Sequence, residues 1–157
     1  MLTKTKNDNK LDEVARLFAH RLPFNRELGL EIDFNDNGEA VLSFEMQAKL
    51  VGNFVRGNLH GGVISTVLDA IGGFVIFNEL LHREENAGLP IESVFERLGT
   101  IDIRVDYLRP GLGKKFFAKA SITRAGRRVA VAHMELRNDS ETLIATGVGA
   151  YVVGSKD

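Results

Sequence analysis

The chain has 157 residues, a usual length for one globular domain, and its 20 basic and 21 acidic residues give a net charge of −1. This near balance provides no electrostatic basis for binding nucleic acid or an anionic membrane surface. There is no cysteine and the four histidines are scattered, which excludes disulfides, thiol chemistry and cysteine–zinc sites, so we expect no metal.

The N-terminal segment is polar and is followed by a helical pattern. Residues 1–10 lack the apolar core of a signal peptide and are predicted to be a disordered tail. Residues 11–157 are then expected to form a single domain of a cytoplasmic protein. From Leu11 to Leu22 apolar side chains recur at helical spacing, and Pro23 is expected to end that helix.

Two strands and a loop are predicted next. Residues 28–34 are a candidate first strand, and residues 40–47 alternate apolar and polar side chains as a half-buried strand does. Residues 48–59 contain two glycines and two asparagines and are predicted to be a loop.

The stretch from residue 60 to about residue 81 predicts a long helix, apolar on nearly every face as in a helix buried inside a protein. Its longest uninterrupted apolar run, residues 70–77, has eight residues. A membrane span needs about 20, so none is expected. Residues 82–97 are charged and irregular, with one short helix expected after Pro90.

The last third of the chain predicts four strands joined by short turns. They cover residues 101–107, 116–122, 129–136 and 143–153. Strands at such close spacing pair antiparallel. The prediction is therefore an α+β fold in which an antiparallel sheet of about six strands wraps around one long central helix.

Asp69 interrupts the apolar helix and is the first candidate for a catalytic role. Its neighbours in sequence are apolar, and a carboxylate among them is costly unless it is paired or functional. A carboxylate in such surroundings suits a general base or a nucleophile. The alternative is that Asp69 only accepts hydrogen bonds from Ser65 or Thr66 in the preceding turn.

His60, Gly61 and Gly62 open the same helix and form a candidate site for a carbonyl oxygen. The first turn of a helix leaves backbone N–H groups unpaired at the positive end of its dipole. Because glycine has no side chain, a substrate carbonyl can approach these groups as in an oxyanion hole. The alternative is an ordinary helix start with flexible glycines.

His60 and Asp69 can hardly act on one carbon from a single helix. They are nine residues apart in the sequence. They therefore point about 180° apart, with about 13 Å of rise between them. The difficulty disappears if the helix start of one subunit faces Asp69 of another, which predicts a two-fold homodimer with composite sites.

Gly72 and Gly73 share the face of the helix that carries Asp69. They would leave a trough in which an apolar substrate chain could lie. Close helix–helix packing across a dimer explains the two glycines equally well.

Three arginines flank the predicted Ala125–Gly126 turn and are candidates for binding phosphate. They are Arg124, Arg127 and Arg128, and Lys114 and Lys115 begin the same hairpin. The alternative is that this basic tip is simply solvated.

Three segments resemble one family. The run from Asn53 to Asp69, NFVRGNLHGGVISTVLD, resembles the signature of PaaI-like hotdog-fold thioesterases. The block GTIDIRVDYLRPG at residues 99–111 and the closing strand GAYVV also resemble it. The likeness covers about residues 15–153, and LPFNRELGLE at residues 22–31 is similar to the YigI-type branch of medium- and long-chain acyl-CoA thioesterases.

This resemblance implies a hotdog fold, a homodimer and two sites at the dimer interface. Asp69 would be the general base or the nucleophile, and the Gly61 N–H would polarise the thioester carbonyl. His60 would shape that end of the site. Thr100 would help to hold the water or the carboxylate.

The resemblance also implies an asparagine near the carbonyl. Asn53 is the candidate, although it precedes His60 by seven residues where the family's asparagine precedes its histidine by six. Asn58 is the alternative.

The predicted activity is hydrolysis of medium- to long-chain acyl-CoA thioesters to the free acid and CoA. No cofactor is expected beyond the CoA of the substrate. A hotdog-fold hydroxyacyl thioester dehydratase and a non-catalytic acyl-CoA-binding protein are the alternatives. Whether dimers pair into tetramers stays open.

Overall fold

The structure is a computed structural model that describes the backbone of residues 6–154 and the side chains of residues 11–154. Four helices and eight strands alternate with short turns along these residues. In chain order they are α1 (Lys6–Arg16), a π-helical turn (Leu17–Arg21), α2 (Pro23–Leu28), β1 (Glu31–Phe34), β2 (Ala40–Glu45), β3 (Val51–Asn53), β4 (Asn58–Leu59), α3 (Gly61–Leu81), α4 (Ile91–Phe95), β5 (Gly99–Tyr107), β6 (Lys115–Ala125), β7 (Val129–Asn138) and β8 (Leu143–Val152).

Six strands form one sheet in the order β1-β2-β6-β7-β8-β5, and every neighbouring pair is antiparallel. The inward side chains of β7 alternate with outward ones. Ala130, Ala132, Met134 and Leu136 are all buried, as the period of two requires. Helix α3 packs across this inner face, so the predicted α+β hotdog arrangement is confirmed.

Helix α3 is buried on both sides. Phe74 faces the N-terminal segment, where the Phe18 ring meets it edge-on with centroids 5.3 Å apart. Phe18 also meets Phe95 of α4 at 5.5 Å, so these short helices cover the side of α3 that the sheet leaves open. By length and mean hydropathy α3 qualifies as a candidate membrane span, but 61% of its most apolar window is buried inside the protein. Its apolar character is that of a core helix.

The N-terminal region departs from the sequence prediction in two ways. Helix α1 begins at Lys6, before the predicted start at Leu11. The sequence did not indicate these first residues of the helix, because residues 6–10 are polar and show no apolar periodicity. Residues 1–5 of the predicted tail lie outside the described residues. Pro23 does separate two helices, but it also opens α2, since proline suits the first position of a helix. Helix α2 ends at Leu28 and is capped by Gly29, whose φ is 70°, so β1 begins at Glu31 and not at residue 28.

The segment 48–59, predicted to be a loop, contains the short antiparallel pair β3–β4. Strands of three and two residues give too little alternation to be detected in the sequence. This hairpin leads directly into the start of α3.

Candidate active site

The start of α3 is fixed by its own first residues and by the β3–β4 hairpin. His60 is the N-cap, and its Nδ1 accepts a hydrogen bond from the Gly62 N–H at 2.9 Å. The His60 N–H donates to the Leu50 carbonyl at 2.8 Å. A Cβ at Gly52 would lie 2.5 Å from the His60 Cα, so only glycine permits this approach of the hairpin.

Gly61 offers a backbone donor at this helix start. No backbone carbonyl among the described residues accepts from the Gly61 N–H. The Tyr107 hydroxyl donates to the Gly61 carbonyl at 3.1 Å, and its ring lies beside the glycine. An unpaired N–H at the positive end of a helix can hold a carbonyl oxygen that becomes negative.

Asp69 lies in the third turn of α3 and bonds to the sheet. The Thr100 hydroxyl donates to the Asp69 Oδ1 at 2.9 Å. The alternative partners Ser65 and Thr66 instead donate to the Gly62 carbonyl, at 3.0 Å and 2.8 Å. The neighbours Val67, Leu68 and Ile71 are buried in the core, while the Asp69 side chain is half-buried beside β5.

Tyr151 of β8 approaches the same turn from inside the core. Its side chain is buried, and its hydroxyl donates to the Asp69 backbone carbonyl at 3.2 Å. Burial, and then the negative charge of Asp69, raise the pKa of the Tyr151 phenol well above its ordinary value. The phenol therefore stays protonated and remains a donor.

The trough predicted beside Asp69 is filled by the protein itself. A Cβ at Gly72 would lie 2.3 Å from the Tyr151 hydroxyl oxygen, so this glycine makes room for the phenol. A Cβ at Gly73 would meet the side chains of Tyr151 and Phe18 at 3.8 Å and 3.9 Å, which is ordinary packing distance. In the single chain, therefore, Gly72 packs against the sheet, Gly73 packs against both the sheet and the N-terminal helical segment, and neither faces open space.

A groove of about 450 Å³ lies at the N-terminal end of α3. Apolar side chains of α2, of α3, of the segment before β3 and of the first residue of β3 line it, together with His60 and Gly62. The apolar members are Phe24, Leu28, Leu50, Val51 and Val63. The groove is therefore lined by the residues on either side of Gly61.

The two candidate asparagines hold the β3–β4 hairpin. The Asn53 Oδ1 accepts from the N–H groups of Val55 and Arg56 at 3.0 Å and 3.1 Å. The Asn58 Nδ2 donates to the Leu59 carbonyl at 3.0 Å. Within the described chain neither side chain hydrogen-bonds to Gly61 or Asp69.

The arginines lie at the tip of the β6–β7 hairpin and are exposed. The register places Thr100, Tyr151, Ala130 and Ala125 in one row across β5, β8, β7 and β6. Three strand spacings of about 4.8 Å put this tip roughly 14 Å from Thr100. Lys114 and Lys115 do not join the arginines, because they lie at the opposite end of the hairpin.

Roles for Gly61, Asp69 and Thr100 are predicted from the sequence, but no role is predicted for the hydroxyls of Tyr107 and Tyr151. Both hydroxyls bond to backbone carbonyls, and such contacts leave no pattern in a sequence. The inward position of Gly149, two residues before Tyr151, was the available signal, since small residues there leave room for a large side chain. Among the described side chains, those of residues 11–154, no three His, Asp or Glu residues form a group that could hold a metal ion.

Known proteins place the chain in a family. Residues 56–145 match the family model described as "Thioesterase superfamily". The "Medium/long-chain acyl-CoA thioesterase YigI" of Salmonella typhimurium is 43% identical over 94% of this chain and 96% of its own length. The protein with the same name in Escherichia coli K12 is 42% identical, with the same shares of both chains covered. A crystal structure from Shewanella oneidensis, described as related to the thioesterase superfamily, has a TM-score of 0.83 and 42% identity over 97% of this chain and all of its own. The chain belongs to the thioesterase superfamily.

Proposed function

We propose that the protein hydrolyses medium- and long-chain acyl-CoA thioesters to the free acid and CoA. The observation that carries this proposal is the Asp69 carboxylate, held by the Thr100 hydroxyl and open to a substrate on the same helix as the unpaired Gly61 N–H. Two relatives that bear the name of this activity, at 43% and 42% identity, support the substrate class.

The two groups divide the chemistry between them. The Gly61 N–H binds the thioester carbonyl oxygen and stabilises the negative charge that develops on it. The Asp69 carboxylate either takes a proton from the attacking water or attacks the carbonyl carbon itself. As a base, Asp69 passes the water's proton to the departing sulfur, so that a C–O bond forms, the C–S bond breaks and CoA leaves as the thiol. As a nucleophile, Asp69 forms an acyl anhydride as the C–S bond breaks; water then cleaves the anhydride to the free acid and the Asp69 carboxyl group, whose proton goes to the CoA thiolate. The chain's own side chains and the CoA of the substrate suffice, with no further cofactor.

A homodimer brings the two groups together. Asp69 is eight residues beyond Gly61, which is about 12 Å along the axis of α3 and too far for both to touch one carbonyl. Strand β5 is an edge of the sheet, and its Ile101 and Tyr107 are 56% and 55% exposed in the single chain. An exposed apolar edge is a surface that a second copy of the chain would cover. We infer a two-fold dimer in which each site takes Gly61 from one protomer and Asp69 from its partner.

The two ends of acyl-CoA require different surfaces. The apolar groove at His60 and Gly62 suits the acyl chain, and Arg124, Arg127 and Arg128 suit the phosphates of CoA. CoA is long enough for its phosphates to lie far from the thioester. These assignments are part of the same proposal, as is a location in the cytoplasm, which the core position of the most apolar helix supports.

The test is a panel of acyl-CoAs of increasing chain length, scored by release of free thiol. Thiol release that is greatest for medium or long chains is expected, with Asp69→Asn slower by about 10²–10⁴-fold. The control is a circular dichroism spectrum showing that the variant is folded. Near-normal thiol release by folded Asp69→Asn would remove Asp69 from the mechanism. Unsaturated product from hydroxyacyl-CoA without thiol release would indicate a dehydratase, and binding without turnover would indicate a sensor.

A further inference from the structure

The chain has only two tyrosines, and each donates a hydrogen bond to the backbone of one proposed catalytic residue. The Tyr107 hydroxyl donates to the Gly61 carbonyl at 3.1 Å. The Tyr151 hydroxyl donates to the Asp69 carbonyl at 3.2 Å. The two phenols thus reach α3 from β5 and β8, at the two turns assigned to chemistry.

Both carbonyls lie inside α3, where the helix supplies a backbone donor four residues further on. The carbonyl of Asp69 faces the Gly73 N–H, and that of Gly61 faces the Ser65 N–H. The phenols are therefore second donors to carbonyls that already have a partner within the helix. Each phenol fixes the distance between one turn of α3 and the strand that carries the tyrosine, which is β5 for Tyr107 and β8 for Tyr151.

The space for Tyr151 is built by glycines on two elements. A Cβ at Gly72 of α3 would lie 2.3 Å from the Tyr151 hydroxyl oxygen. A Cβ at Gly149 of β8 would lie 2.9 Å from the same atom. An alanine at either position would force the phenol to move, so the path from β8 to the Asp69 carbonyl depends on both glycines.

The contact of Tyr107 has the same character at the helix start. A Cβ at Gly61 would lie 3.4 Å from a carbon of the Tyr107 ring, so the ring packs directly against this residue. Thr100, at the beginning of the same strand, donates to the Asp69 carboxylate. Strand β5 therefore touches both proposed catalytic residues, at its two ends.

We propose that Tyr107 and Tyr151 are positioning residues that hold the Gly61 N–H and the Asp69 carboxylate at the places the reaction requires. This inference rests on the proposed function, because that function assigns the Gly61 N–H and the Asp69 carboxylate to the reaction. Neither phenol is assigned a contact with substrate. An error of about 1 Å in the position of a reacting group can slow catalysis about 100-fold, so the loss of one such bond should be visible in turnover.

The experiment compares Tyr107→Phe and Tyr151→Phe with the wild-type protein, since phenylalanine keeps the ring and removes only the hydroxyl. We expect each variant to lower kcat about 10-fold or more for a long-chain acyl-CoA, with KM within about twofold, because ground-state binding is unchanged. Ser121→Ala, which removes a hydroxyl from exposed β6, is the control and should leave both constants unchanged.

A second measurement does not depend on activity. Amide hydrogen exchange of Gly73 should become faster in Tyr151→Phe, and that of Ser65 should become faster in Tyr107→Phe, because without the phenol's hydrogen bond the turn is no longer held against its strand and opens more often. Unchanged exchange, or kcat within twofold of wild type, would overturn the proposal. A parallel fall of kcat, of affinity and of melting temperature would reduce the phenols to a structural role and would also overturn it. Absence of thiol release by the wild-type protein would refute the proposed function instead, while the exchange data still decide whether the phenols hold these turns.

Discussion

Gly72 and Gly73 are adjacent in α3, but only Gly72 is required by its surroundings. We expect Gly72→Ala to destabilise the fold by about 1–3 kcal/mol, because its methyl group would displace the Tyr151 hydroxyl. Gly73→Ala should be neutral or stabilising by up to about 1 kcal/mol, since its methyl group finds ordinary packing distances and alanine favours the helix. Urea unfolding of both variants measures the difference. Equal stability of the two variants would mean that Tyr151 does not fill this space.

At the scale of single residues, the sequence predicted the groups that stand out from their surroundings. Asp69 was detectable because a charge within an apolar helix needs a reason, and Gly61 because paired glycines at a helix start are unusual. Thr100 came only from the family resemblance. The partner of the Asp69 carboxylate could not be inferred from spacing, because Thr100 is 31 residues away in the sequence. By spacing, Ser65 and Thr66 are the candidate partners of this carboxylate, but in the structure both hydroxyls donate to the Gly62 carbonyl.

At the scale of elements, long segments with a strong periodicity could be predicted from the sequence, and short segments could not. Helix α3 and the four C-terminal strands were predicted because many residues repeat one pattern. The helix α2 and the β3–β4 pair have too few residues to show a period. These two missed elements supply much of the lining of the groove beside His60. From the sequence, the acyl chain is predicted beside Gly72 and Gly73, and the groove at the start of α3 is not predicted.

The groove between α2 and α3 provides a prediction about chain length. Val63→Phe should shorten the preferred acyl chain, because the larger ring occupies space in the groove. Each excluded methylene should lower kcat/KM about fourfold, which corresponds to about 0.8 kcal/mol. The measurement is kcat/KM across the acyl-CoA panel. Val148→Phe, on the exposed face of β8, is the matched control and should leave the profile unchanged. A uniform loss over all chain lengths in Val63→Phe would exclude the groove as the acyl site.

The hairpin between β6 and β7 provides a prediction about CoA. Arg127→Ala should raise KM for acyl-CoA about fivefold, which is about 1 kcal/mol and typical of an exposed charge pair. The same variant should be unchanged with acyl-pantetheine, which carries no phosphate. Lys115→Ala, at the opposite end of the hairpin, serves as the control and should bind both substrates normally. An equal effect on both substrates would show that the arginine acts on the fold and not on phosphate.

At the scale of the whole molecule, the two groups proposed to act on one thioester carbonyl are far apart in the single chain. The Gly61 N–H and the Asp69 carboxylate belong to one rigid helix, so no movement within the chain can close the distance between them. The sheet order leaves β5 as an edge with exposed apolar side chains, and this strand carries both Thr100 and Tyr107. Pairing along this edge would place the contacts of both catalytic turns next to a second protomer. The spacing of Gly61 and Asp69 predicts a partner, because helix geometry is fixed, but spacing alone does not predict the surface that would meet that partner.

Complementation between two inactive variants tests this requirement. Gly61→Pro removes the N–H but suits the first position of a helix, and His60 before it already has the extended ψ of 137° that precedes a proline. Asp69→Asn removes the carboxylate and keeps its shape. In a mixed dimer with composite sites, one site carries both defects and the other carries neither. Random exchange of subunits should therefore restore about one quarter of wild-type thiol release, since half of the dimers are mixed and each has one intact site. Exchange is verified by native mass spectrometry of the two tagged chains, and each variant incubated alone is the control. Verified exchange without recovered activity would show that Gly61 and Asp69 of one chain serve the same site.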